Sequence, residues 1–165
     1  MTAADRRPSA VAARLIIGGA LPAIAGGESF PSSVIGVSGR QMRDDERRAA
    51  GLEQPGRTFL FAAEGAEVML DLSGANAAAW FSGADFDSAI DHFDSELHRA
   101  YPVARRTDDR AVADNPATRA RAYRILFENG RRAVIELLYA LPSATGAERS
   151  FTARATALQP PAGRR

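Results

Sequence analysis

Residues 118–140 read TRARAYRILFENGRRAVIELLYA, two alternating segments separated by Asn129-Gly130. Asn-Gly is a strong hairpin signal, because a two-residue type I′ turn needs positive φ at both positions and these two residues tolerate it. Pairing outward from such a turn sets Leu126 opposite Ala133, Arg124 opposite Ile135, Ala122 opposite Leu137 and Ala120 opposite Tyr139. That face is mostly apolar and is the expected core. The other face sets Phe127 opposite Arg132, Ile125 opposite Val134, Tyr123 opposite Glu136 and Arg121 opposite Leu138, which mixes charge with large apolar groups.

A second hairpin precedes it in the chain. In TFLFAAEGAEVMLDL, residues 58–72, a turn at Glu64-Gly65 places Phe59, Phe61, Val68, Leu70 and Leu72 on one face. Ser150 to Leu158 alternates as a further strand, with Phe151, Ala153, Ala155 and Ala157 on one side. Ser32 to Val37 reads as a short strand, residues 40–57 as a charged linker or solvated helical turn, and 73–79 (SGANAAA) as a connector leading to a core plug at Trp80-Phe81. Residues 103–116 read as a polar spacer.

Between the hairpins the period changes. In residues 85–101, DFDSAIDHFDSELHRAY, Phe86, Ile90, Phe93, Leu97 and Tyr101 recur at spacings of three and four, the stripe of an amphipathic helix that Pro102 stops. The expected fold is therefore α+β: an antiparallel sheet of five to six strands, made of two hairpins and a C-terminal strand, packed against one amphipathic helix.

The first 25 residues, MTAADRRPSAVAARLIIGGALPAIA, read as a signal peptide. Arg6, Arg7 and Arg14 precede the apolar run Leu15 to Leu21, and Ala23-Ile24-Ala25 supplies the small-x-small pattern of a cleavage site. Residues 26–158 then form a single domain and 159–165 a loose tail. The alternative is that Leu15 to Ala25 forms an element of the domain itself. The run is too short to span a bilayer, which takes roughly 20 apolar residues.

Composition narrows the chemistry. All 21 basic residues are arginine, which points to a GC-rich bacterial genome and rules out a lysine Schiff base or a phosphate-loop lysine. With no cysteine the chain makes no disulfide, thiolate metal site or cysteine nucleophile. The formal charge is +1, and a mature chain lacking Asp5, Arg6, Arg7 and Arg14 carries −1, with acids and bases interleaved, so no nucleic-acid partner is expected. No cofactor motif is present.

Two constellations remain. Asp87, Asp91, Asp94 and His98 lie along one polar stripe of the helix; Asp91, Asp94 and His98 are the candidate metal ligands, with Asp94 able to orient His98 as a base. The mixed hairpin face, Arg121, Tyr123, Ile125, Phe127, Arg132, Val134, Glu136 and Leu138, is the candidate surface for a ligand, a protein partner or self-association. The sequence thus describes an exported bacterial domain, periplasmic or secreted and without a membrane span, acting as a non-enzymatic binding or assembly module. The alternative is a small enzyme or metal-dependent protein using the Asp/His stripe.

Overall fold

The hairpin at Asn129-Gly130 forms, but its turn is one residue longer than the sequence suggests. In the computed structural model, which describes residues 5–25, 30, 39–82, 89–112, 115–140 and 150–158, Gly130 takes φ +82. Its N–H donates to Phe127 O (2.9 Å), and Phe127 N–H donates to Arg131 O (2.8 Å). The loop is therefore Glu128-Asn129-Gly130, with the left-handed residue closing it as a bulge. Asn129 serves through its side chain, accepting from Arg131 N–H at 2.9 Å and donating to Ala25 O at 3.0 Å.

That extra residue corrects the expected register by one. Tyr123 pairs with Ile135, Ile125 with Ala133 and Arg121 with Leu137. The later strand keeps its expected inward face, Ala133, Ile135, Leu137 and Tyr139, but the earlier strand turns over, so that Tyr123 and Ile125 are buried and Leu126 is exposed. A one-residue slip always exchanges the two faces of a strand. Here it keeps the Arg124 guanidinium out of the core, where an unpaired charge would be costly.

Among the described residues the sheet has eight strands rather than five or six. They are β1 (Gly39–Gln41), β2 (Arg57–Ala63), β3 (Ala66–Ser73), β4 (Asn76–Ser82), β5 (Arg105–Val112), β6 (Asn115–Leu126), β7 (Arg132–Ala140) and β8 (Ser150–Leu158). All pairs are antiparallel, in the order β1-β2-β3-β4-β8-β7-β6-β5, so two meanders meet along the β4–β8 seam. The β2–β3 hairpin has the expected register, Phe59 opposite Leu70 and Phe61 opposite Val68, with Gly65 at φ +76 in its turn.

Three added strands come from segments read as connectors. The 73–79 stretch is mostly β4, which the low strand propensity of alanine concealed. Phe81 plugs the core as expected, whereas Trp80 lies half-buried on the outer face. The polar spacer is largely β5, and β1 opens the charged segment, which continues into the helix α3 (Asp44–Ala49). Arg47 anchors that helix: its Nε donates to Thr58 Oγ1 (2.7 Å) and its Nη2 lies 3.3 Å from Asp71 Oδ1. The strand expected at 32–37 and the tail 159–165 lie outside the described residues.

Among the described residues two helical elements cover the inner face. α4 (Ala89–Ala100) is the expected amphipathic helix, with Phe93 and Leu97 buried and Ile90 and Tyr101 packed at the margin of the core. The other is the N-terminal segment, running as α1 (Pro8–Ala13), a π-helical stretch (Arg14–Ala20) and α2 (Leu21–Ile24). It packs on β3, β4, β8 and α4, and Leu15, Ile16, Ile17 and Leu21 are fully enclosed.

Two paired substitutions check this arrangement in the full chain by denaturant unfolding. Ile125→Ala is expected to cost about 2–5 kcal/mol and its neighbour Leu126→Ala no more than about 0.5; equal costs would restore the two-residue turn. Likewise Leu15→Ala is expected to cost about 2–5 kcal/mol, whereas Gly18→Ala, where an added Cβ meets nothing within 4 Å, is expected to be neutral or mildly stabilising.

Candidate functional site

The inner face is a trough with a shallow floor. Along the β4–β8 seam Ala77 pairs with Ala155 and Ala79 with Ala153, all four buried, and the next inward pair, Phe81 opposite Phe151, stacks with ring centroids 5.4 Å apart and closes that end of the floor. Larger side chains rise on both sides: Phe59, Phe61, Val68 and Leu70 from β2 and β3, and Ile135, Leu137, Tyr123 and Ile125 from β7 and β6. The N-terminal segment lies in this trough. Its ends are tied to the two hairpin turns, where Glu64 N–H donates to Arg6 O (2.8 Å) and Asn129 Nδ2 donates to Ala25 O (3.0 Å).

The segment is an unusual occupant by its own chemistry. Gly18, Gly19 and Pro22 are poor helix formers, and seven consecutive π-helical residues are rare in any protein. Burial in the trough, rather than intrinsic preference, holds it helical. The stretch from Leu15 to Ala25 that carries the leader pattern is thus the stretch that fills the seam.

Beyond α4 the same face becomes charged. Arg119, Arg121 and Tyr123 alternate on β6, and Asp109 faces them from β5. Arg121 grips Asp109 Oδ2 through Nη2 (2.9 Å) and Nε (3.2 Å), while Arg119 holds Oδ1 through Nη2 (2.8 Å) and Nε (3.2 Å). From α4, Asp94 Oδ1 accepts the Tyr123 hydroxyl at 2.5 Å and lies 3.8 Å from Arg121 Nη1. His98 Nδ1 lies 2.8 Å from Asp94 O and 3.5 Å from its Oδ2.

Two ionisations respond. Partial burial opposes the charge on Asp109, but the hydrogen bonds and charges of Arg119 and Arg121 outweigh it and hold its carboxyl below the usual carboxylate range. Burial, reinforced by the hydrogen bond to Asp94, pushes the Tyr123 hydroxyl well above the usual tyrosine range. The cluster is a closed circuit: every acid in it already faces an arginine, a tyrosine or a histidine. Such a circuit fixes β5 and α4 against β6 and offers little free capacity for proton transfer.

The structure redistributes the residues picked from sequence. Arg121 and Tyr123 join Asp94 and His98 in this cluster, although the two sets seemed to belong to different sites. Ile125 is in the core and Phe127 lies at its margin, edge-on to Tyr101 with ring centroids 5.4 Å apart. Arg132, Val134, Glu136 and Leu138 lie on the opposite, outer face, so the eight residues do not form one surface. Asp91 stands exposed one turn before Asp94, and among the described residues no three histidine, aspartate or glutamate side chains converge to hold a metal; Asp87 is outside those residues. Sequence reading missed Asp109 and Arg119. Their signal was the alternation Arg119-Ala120-Arg121-Ala122-Tyr123, which marks one polar, large-residue face on β6.

No protein-family model matches the chain, and neither a curated protein nor a solved structure matches it.

The cluster predicts a pH signature at both ends of the scale. Asp109, depressed in the fold, contributes stability that is present at neutral pH and is lost as pH falls below about 4. Asp109→Asn is therefore expected to lower Tm at pH 7 and to flatten its fall on acidification, as read by thermal unfolding across pH. Tyr123 holds its proton where the unfolded chain releases one, so stability falls as pH rises past about 10, and ultraviolet titration should show Tyr123 silent until unfolding.

Proposed function

We propose that the protein is an exported, non-enzymatic binding module of a bacterial cell envelope, periplasmic or secreted, whose binding site is the trough over the β4–β8 seam. Residues 8–24 occupy that trough until the segment 1–25 is removed as a signal peptide. The observation that carries this reading is that one stretch, Leu15 to Ala25, has the apolar run and small-x-small ending of a leader and also fills an alanine-floored trough.

The vacated site suits an amphiphile with one long aliphatic chain. A helix over Pro8–Ile24 covers about 25 Å, so the trough accommodates an occupant that is apolar along that length. Its floor of four alanines leaves depth for such a chain, and its walls of Phe59, Phe61, Leu70 and Phe93 offer no charge. At one end the Asn129 amide, now bonded to Ala25 O, would be released to hold a polar terminus. The charged cluster favours a binding module over the enzyme alternative, since its groups are spent on one another.

The test is the intact mass of protein recovered from a secreting bacterium that expresses the full chain, measured under denaturing and then native conditions. The expected result is loss of residues 1–25 together with a non-covalent adduct in the native spectrum that organic solvent extracts. A full-length mass without an adduct overturns the proposal and makes the N-terminal segment a permanent core helix. A processed chain without any adduct supports the signal peptide and overturns the ligand.

A further inference from the structure

The three large apolar side chains exposed among the described residues are Val103 at 66%, Leu126 at 54% and Leu158 at 40%, and they lie together. Val103 is in the turn between α4 and β5, while Leu126 pairs with Arg132 and Arg132 with Leu158 across β6, β7 and β8. Arg105 and Arg124 pair in the adjacent row. These six side chains line one open depression of about 470 Å³ at the end of the sheet that carries the Asn129 turn.

Positive charge is in excess here. Among the described residues Arg105, Arg124 and Arg132 have no ion-pair partner, because the acids of the neighbouring β5 are committed elsewhere, Asp108 to Arg110 and Asp109 to Arg119 and Arg121. Arg131 adds a fourth exposed base at the same turn and Glu128 an exposed acid, which leaves the patch at +3. Elsewhere on the outer face arginine alternates with acid, as where Glu136 stands opposite Arg154. A +3 patch studded with protruding aliphatic groups is a local exception on a chain of net charge +1.

We infer that this patch docks the protein on an anionic lipid bilayer. Guanidinium groups pair bidentately with lipid phosphates, and isolated leucine and valine side chains at their centre reach into the boundary between headgroups and acyl chains. The patch is small for a protein partner, whose stable interfaces use roughly 20–30 residues a side. Surface docking through a few bases and a few apolar groups needs no such area. The inference stands apart from the trough: it rests on exposed residues of the folded chain and holds whether or not the N-terminal segment is removed.

The experiment is flotation of the full chain with vesicles of mixed phosphatidylcholine and phosphatidylglycerol, against vesicles of phosphatidylcholine alone. Binding is expected on the mixed vesicles only and should weaken with added salt. Arg124→Ala and Arg132→Ala, both at exposed positions, are each expected to lower partition about fivefold. Leu126→Ser should lower it as well, while Arg48→Ala on the exposed side of α3 should not; circular dichroism of each variant confirms the fold. Equal flotation with both vesicle types, or variants that float like the parent, overturns the proposal. So does saturation by inorganic phosphate without flotation, which would make the patch a small-anion site.

Discussion

A sheet floored by alanine cannot seal itself. Ala77, Ala79, Ala153 and Ala155 bring little side-chain volume to the seam between the two meanders, so something apolar and about one helix thick must lie over them. Everything else on the inner face is arranged around that requirement. The aromatic and aliphatic groups of β2, β3, β6 and β7 form the sides, α4 covers one flank, and the N-terminal segment supplies the missing layer. An empty trough of this length would forfeit the contacts of every side chain lining it, a loss that native interiors rarely sustain.

The elements that could be read from sequence are those where side-chain size alternates strongly. The β2–β3 hairpin, β8 and α4 fall into this class, and their inward residues are the expected ones, from Phe59 and Phe61 to Phe93, Leu97 and Phe151. β4 escaped because Ala77, Ala78 and Ala79 offer no contrast between faces and have low strand propensity. β5 escaped for the opposite reason: charge on both faces looks like a spacer until a partner strand is known. The β6–β7 hairpin was visible as an object but not in register, since Asn-Gly fits both a two-residue turn and a longer loop closed by the glycine.

That single residue decided how much of the candidate site could be anticipated. With the shorter turn, Arg121 and Tyr123 share a face with Arg132 and Glu136; with the longer one they share it with Leu137 and Ile135 and meet Asp94 beneath α4. Residues that the sequence groups in one surface are therefore divided between two. Helix periodicity places Asp94 and His98 one turn apart on α4, but it says nothing about what stands across the gap. Only the sheet order brings Asp109 from β5 to join them.

Among the described residues the order of strands leaves the sheet open, with β1 and β5 at its two borders. An unpaired border is a template on which further strands can add, and proteins suppress this with short or charged outer strands. Both devices are present. β1 has only three residues, and β5 carries Arg105, Arg106, Asp108, Asp109 and Arg110 in close succession. Copies of this chain are thereby discouraged from growing edge to edge into fibres, and any association they make is directed to their broad faces.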